Sequence, residues 1–354
     1  MAKSGKGKAV LAGLVAASAA GILTVRGIFH KVFARQEKEE DAISLRYKDI
    51  SGLRRKKVTI VSGSTHLTGY LYGEQTAKGL VVVCHGIASG GEDNLSMVKY
   101  MLDDGYQVFT FDYTGVYESE GSSSVGFYQA VKDLNAVMGY IEASSALKDL
   151  PVFLYGHSWG GYTAAAELNF RHDIAGVISI SGFSTPMAVT REVAKKSMPS
   201  LLAELLLPFA ALYQRVVFGK NYNLSAVDGI NSCNVPVLVM HGKEDEVIGY
   251  EGSSVIAQRA NITNPNVEYY TEARPGKSSH MGIFFTKDGT DYYLAKKEEL
   301  KMLHDLYYNR VPKNVLSKWF SRLDKKQANE LDPLFVKTVL DFLDKYSKKV
   351  GDQA

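Results

Sequence analysis

Short apolar runs rich in β-branched and aromatic residues recur along the middle of this chain: LVVVCHG, YQVFTFDY, PVFLYG, IAGVISISG, VPVLVMHG and NVEYYTE, spread over residues 80–272. Between them the pattern turns helical, near 92–104, 124–145, just after PVFLYG and near 252–260, with a last helix near 329–348. Strands and helices that alternate in this way bury their apolar faces in layers, as a mostly parallel sheet with helices on both sides. The expected fold class is therefore α/β. Two earlier runs, KKVTIVSG and HLTGYLYG, read as an antiparallel hairpin turning at SGST. With 354 residues, 45% of them hydrophobic and 22% charged, the chain has apolar material for one large core and an accessory region.

The corner after the third of those runs carries the chemistry. In FLYGHSWGGYTAA, residues 153–165, Ser158 stands between His157 and Trp159, with Gly156 before it and Gly160-Gly161 behind. The spacing Gly156-x-Ser158-x-Gly160 on a strand-to-helix turn is that of a nucleophile elbow, where the serine backbone is strained and side chains two residues away would collide. Such a turn lifts the hydroxyl above the sheet and aims the following N–H groups, beginning with Trp159, at the place where an oxyanion forms. His157 is excluded as the base, because neighbouring side chains point apart.

A serine needs a base and the base an orienting acid. Asp245 follows the strand in NVPVLVMHGKEDEVI, and His280 ends the extended segment YYTEARPGKSSHMG. Ser158, Asp245 and His280 come in the order Ser, acid, His, each just past a strand end, the edge where open α/β sheets bind ligands. Among the other histidines, His30 and His304 lie in helical surroundings, His66 and His172 read as exposed, and His85 and His241 precede glycines at strand ends, where a backbone role fits. Glu244 and Asp228 compete with Asp245, which is preferred for its HGKEDEVI context beyond the strand. The glycine-rich loop in KGLVVVCHGIASGG is the expected source of a second oxyanion donor, the backbone N–H of Ile87, with Ala88 behind it.

Taken in order, VVCHG, FDYTGVYESEG, GHSWGG, MHGKEDEV and SSHMG resemble the α/β-hydrolase superfamily, and within it the serine-aminopeptidase-like and monoglyceride-lipase-like serine hydrolases, over about residues 55–182 and 233–285. The resemblance implies an α/β-hydrolase fold with the triad Ser158, Asp245 and His280, and it disfavours the relatives that use an aspartate nucleophile. One loop departs from the pattern. Relatives usually read D-x-R-G-x-G-x-S-x-G where this chain has Asp112-Tyr113-Thr114-Gly115-Val116-Tyr117-Glu118-Ser119-Glu120-Gly121, so Thr114 replaces an arginine and Tyr117 a glycine.

A net charge of +3 without a basic aromatic stripe argues against a nucleic-acid partner. The two cysteines, Cys84 in a core strand and Cys233 at the start of another, do not suggest a disulfide framework. No metal or cofactor is expected, since the metal-ligand and phosphate-loop patterns are missing.

The amino terminus differs from the rest. MAKSGKGK is basic, and Ala9 to Val25 is an uncharged run closed by Arg26, which reads as a single-pass membrane anchor within a segment 1–36. A cleaved signal peptide, ending near Ala17-Ser18-Ala19 and giving a secreted protein, and a helix docked on the domain are the alternatives. RQEKEEDAISLRYKD follows as a charged helical stretch, and 37–54 is the linker, a spacer outside the core. The core takes up 55–182 and 233–350, and the insertion 183–232 is an apolar helical cap over Ser158, with breaks at Pro199 and Pro208. A tyrosine-rich insertion after His280 reads either as a further wall of the site or as a partner surface. The expected chemistry is cleavage of a small-molecule or lipid-like carboxylic ester through an acyl-enzyme. The alternatives are a peptidase of the serine-aminopeptidase type and a catalytically silent membrane-tethered scaffold.

Overall fold

The central sheet grows from eight short strands: β1 (Arg55–Ser62), β2 (Thr65–Tyr72), β3 (Leu80–Cys84), β4 (Gln107–Phe111), β5 (Val152–His157), β6 (Gly176–Ile180), β7 (Val237–Gly242) and β8 (Val267–Glu272). The computed structural model describes residues 3–74 and 77–351, with side chains between 18 and 347. The strand order is β1-β2-β4-β3-β5-β6-β7-β8. Strand β2 runs antiparallel to both β1 and β4, and every later neighbour is parallel. The central strands β3, β4, β5 and β6 are buried on both faces except at His157, as their unbroken apolar runs require. Alternate residues feed two cores. Val82 and Cys84 face the layer of α3 (Tyr128–Ala143) and α4 (Trp159–Ala166), while Val81 and Val83 face α2 (Leu95–Asp103) and the terminal helix Pro333–Gly351.

The helix expected near 252–260 is a 3-10 turn, Ile256–Asn261. A larger departure is the segment expected as a helical spacer. Residues 37–54 contain only the 3-10 turn Tyr47–Asp49, and they lie against the domain with Ile43 and Arg46 buried. Arg46 pairs with Asp93 at 2.6 Å, and Asn329 donates to the Ile43 carbonyl at 2.8 Å. A charge-rich composition reads as solvated, but here the charges find fixed partners across the chain.

Helix α1 (Lys3–Val32) also reaches the domain. The expected anchor Ala9–Val25 begins outside the described side chains; from Gly21 on, the helix packs on the cap, where a Cβ at Gly21 would meet the Phe209 ring at 2.7 Å. Val25, Phe29 and Phe33 belong to the core. Among the described residues, the helical stretch long and apolar enough to cross a membrane, by length and composition alone, is Ser200–Asn231, in mid-chain.

The cap consists of α5 (Pro186–Ser197) and α6 (Ser200–Phe218), followed by α7 (Ala226–Asn231), which packs back on α4. Helix breaks were expected at two prolines, but only Pro199 separates helices; Pro208 lies inside α6. After His280 come α8 (Lys287–Leu306), α9 (Lys313–Phe320) and α10 (Lys325–Ala328). This excursion leans on the 41–51 segment, with Lys325 2.5 Å from Asp49, and none of its described residues lines the cavity beside Ser158.

Candidate active site

Strand β5 stops at His157 and α4 begins at Trp159, which leaves Ser158 alone on the corner with φ 58° and ψ −118°. A non-glycine residue tolerates that left-handed conformation only when its surroundings over-determine it. They do so by close packing: a Cβ at Gly156 would run into the Gly160 carbonyl, and one at Gly160 into the Cys84 carbonyl. The corner is also bonded on both sides, with Ser158 N–H donating to the Ile180 carbonyl at 2.8 Å and Tyr162 N–H to the Ser158 carbonyl at 3.0 Å. Trp159 opens the helix, so its N–H has no partner within it. Its indole N–H donates to the Phe127 carbonyl at 2.8 Å.

The loops after β7 and β8 bring Asp245 and His280 together. His280 Nδ1 lies 2.8 Å from Asp245 Oδ2 and 2.9 Å from Oδ1. The same carboxylate accepts from the N–H groups of Val247, at 3.0 Å, and Ile248, at 2.8 Å. Burial alone would push the Asp245 pKa up. The hydrogen bonds from His241 and His280, with Ile248 behind them, more than reverse this and hold it far below the usual carboxylate range. With Nδ1–H given to this anion, His280 keeps its lone pair on Nε2.

Two neighbouring acids staple the histidine loop. Ser278 donates to Glu244 at 2.5 Å, and the His280 N–H donates to Glu246 at 3.0 Å. Of the competitors to Asp245, Glu244 is thus occupied by Ser278, and Asp228 sits on α7 in the cap region.

Two histidines set aside in the sequence reading touch this pair. His157 donates from Nε2 to the His280 carbonyl at 3.1 Å, and its ring lies 4.5 Å from the His280 ring. Burial, aided by repulsion from His280, holds its pKa well down, so it stays neutral. His241 donates from Nε2 to the Ile248 carbonyl at 2.8 Å, with Asp245 Oδ2 at 3.3 Å. Their positions, one beside Ser158 and the other before a strand-end glycine, were visible in the sequence, but their contacts cross between strands. His85 does act on backbone: it donates from Nδ1 to the Gly86 carbonyl at 2.8 Å and accepts from Tyr113 N–H at 3.1 Å, and burial lowers its pKa to about 4. His172, read as exposed, is largely covered and bonds Glu142 at 2.7 Å.

Ile87 follows this tethered turn. A Cβ at Gly86 would lie 3.8 Å from Ser158 Cβ, and Ile87 lines one cavity with Ser158 and Trp159. That cavity, about 340 Å³, is roofed by α5 and α6 and walled by Val25, Ile28, Phe29, Val32 and Phe33 from α1 and the residue after it. Its volume is at the small end of the roughly 300–1,000 Å³ of small-molecule sites. Sequence reasoning held a helix docked on the domain only as an alternative to the anchor, and did not place it at the cavity.

Solved structures share the fold. An esterase structure from Pyrococcus furiosus superimposes with a TM-score of 0.54 at 18% identity, covering 82% of this chain and 99% of the esterase. An α/β hydrolase from Vibrio vulnificus also reaches 0.54, at 19% identity over 70% and 85% of the two chains. A family profile described as serine aminopeptidase, S33, matches residues 75–224, which take in the elbow and much of the cap. The fold is thus that of the α/β hydrolases, and the profile match over residues 75–224 supports membership of that superfamily. Among sequence relatives, lysophosphatidylserine lipase ABHD12 of Danio rerio is 25% identical over 179 residues, 50% of this chain and 46% of the lipase. The Bacillus subtilis protein YqkD is 23% identical over 246 residues, 68% of this chain and 76% of its own. The chain thus spans about half the length of the lipases it matches. The loop that departs from the superfamily pattern has a structural correlate: Tyr117, where relatives carry glycine, has φ 44°. Its hydroxyl donates to Asp93 at 2.7 Å, which helps hold a side chain in that strained position. Thr114, in the arginine position, bonds Asp133. A guanidinium does reach the loop, from Arg35, which donates to the carbonyls of Tyr117 at 2.8 Å and of Ser119 and Gly121 at 2.9 Å.

Proposed function

We propose that this protein is a serine hydrolase that cleaves carboxylic esters with lipid-like acyl groups, with Ser158 as nucleophile, His280 as base and Asp245 as its orienting acid. The observation that carries the reading is a strained serine facing an apolar cavity at the same sheet edge as a buried aspartate–histidine pair. His280 Nε2 takes the proton as Ser158 Oγ attacks the carbonyl carbon. The Ile87 and Trp159 N–H groups receive the oxyanion, and collapse expels the alcohol with the proton from His280. Water, deprotonated by the same nitrogen, then attacks the acyl-enzyme and releases the acid.

An ester is favoured over a peptide amino terminus because the described lining of the cavity carries no carboxylate to pair with a substrate ammonium group. The likeness to lipases and esterases points the same way. Membrane attachment through the uncharged part of α1 belongs to the same proposal. It is a helix whose outer turns enter lipid while the inner turns stay docked on α6, which exposes Leu201, Leu205 and Val216.

The test is fluorophosphonate labelling of the full chain beside Ser158→Ala. Labelling that vanishes in the variant, with ester turnover falling by roughly a million-fold, supports the reading. Equal labelling of both proteins would sink it.

A further inference from the structure

We infer that the last turns of α1, outside the hydrolase core, set the acyl-chain length that the enzyme accepts. This rests on the ester-hydrolase reading above and adds a specificity element to it. Val25, Ile28, Phe29 and Val32, with Phe33 just past the helix end, recur at helical spacing and share one face, and all five line the cavity that holds Ser158. At 1.5 Å per residue this face extends roughly 12 Å. Its near end adjoins the reacting serine: the Phe33 ring packs 5.5 Å from Trp159 and 4.9 Å from Phe127. Its far end, Val25, is buried and lines the same cavity. An acyl chain leaving the Ser158 carbonyl site therefore lies along α1, and the side chains it passes decide how long it can be.

A wall of this kind selects only if its register is locked, and the residues at the helix end lock it. Ser123 Oγ donates to the Phe33 carbonyl at 2.7 Å, and Ser124 N–H donates to it at 3.1 Å. Gln36 N–H donates to the Gly115 carbonyl at 3.0 Å, and Tyr117 N–H to the Gln36 carbonyl at 2.8 Å. With the three Arg35 bonds, these fix both the rotation and the height of the helix over the cavity. Phe29 and Phe33 are buried, whereas Ile28 and Val32 are 40% and 45% exposed and form the rim. Rim positions tolerate a larger side chain without disturbing the core.

The experiment uses the full chain with p-nitrophenyl esters from acetate to palmitate, and reads the ratio of kcat/KM for palmitate to that for acetate. Val32→Trp narrows the cavity and is expected to lower the ratio at least about tenfold; Phe29→Ala widens it and is expected to shift the optimum to longer or branched acyl groups. Leu23→Trp, on an exposed position away from the cavity, leaves the ratio where it was. Displacement of dansylated undecanoic acid gives a readout that needs no turnover, and Val32→Trp is expected to weaken it. Unchanged ratios and unchanged probe binding in both cavity variants, with Ser158 still labelled, would overturn the inference and leave the hydrolase reading standing. Probe binding that depends on Val32 in a protein without any esterase activity would do the reverse.

Discussion

The two sides of the cavity are built by different forces. On one side, the loops after β7 and β8 hold Asp245, His280 and their neighbours with hydrogen bonds, nearly every polar atom answered by a partner two to three ångströms away. On the other, α1, α5 and α6 line the cavity with rings and aliphatic chains, while the Arg191–Glu204 and Lys195–Glu204 pairs that join α5 to α6 lie on exposed side chains outside it. Directional bonds position a proton-transfer pair to fractions of an ångström, which chemistry demands. Packing defines a volume, which is what discrimination among apolar chains demands. A change on the first side should therefore alter the rate for every ester alike, and a change on the second should alter which ester is preferred.

The sharpest break of that contrast is Asp245→Asn. It keeps the shape of the carboxylate but not its charge, and kcat should fall roughly ten-thousand-fold for short and long esters equally, with an unaltered circular-dichroism spectrum. Gly156→Ala should come next, because its Cβ meets the Gly160 carbonyl. A cost of about 1–3 kcal/mol is expected, seen as a Tm lowered by several degrees together with lost fluorophosphonate labelling. Arg35→Ala removes three charge-assisted bonds to the 117–121 loop and loosens the end of α1. About 1–2 kcal/mol of stability should go, with a blurred chain-length profile, while Glu37→Ala at the exposed end of the Arg35–Glu37 pair should leave Tm unmoved.

The smallest effect tests where the two sides touch. Glu192 on α5 accepts from Gly249 N–H at 2.8 Å and from Ser253 N–H at 2.8 Å, and it pairs with Lys196 at 2.7 Å, tying the cap to the loop that carries Asp245. Burial would raise its pKa, but the bonds from Lys196, Ser253 and Gly249 prevail and take it down to about 2. A carboxylate depressed on folding stabilises above its ordinary pKa, and that contribution fades as pH falls through the folded value. Glu192→Gln should therefore lower Tm by about 1–2 °C at neutral pH. The gap from the wild type should close between about pH 5 and pH 2; a gap that is constant with pH would show that the carboxylate charge is not what holds the loop.

Much of this arrangement was legible in the residues. The central strands were marked by unbroken apolar runs because they must be apolar on both faces, and Gly156-x-Ser158-x-Gly160 marked the elbow because only glycine leaves room beside the Cys84 and Gly160 carbonyls. Asp245 and His280, which the structure pairs, were singled out by chain order and strand ends, properties of a topology that the alternation already specifies. The charged stretch 37–54 misled because composition records that Arg46 and Lys38 carry charge, not that Asp93 and Glu92 wait on another element. Pro208 misled too, since helix propensity favours a break where the packing of α6 keeps the helix whole.

Local pattern, set by backbone sterics and hydrophobic period, thus determined the sheet, the strained serine and the order of the candidate triad without reference to any distant contact. Only the tertiary structure decided that the uncharged amino-terminal run ends as a wall of the cavity. Nothing within residues 25–33 encodes that role. It arises because Phe33 finds Trp159 and Phe127 across the chain, and because Arg35 and Gln36 find the carbonyls of a loop some eighty residues away.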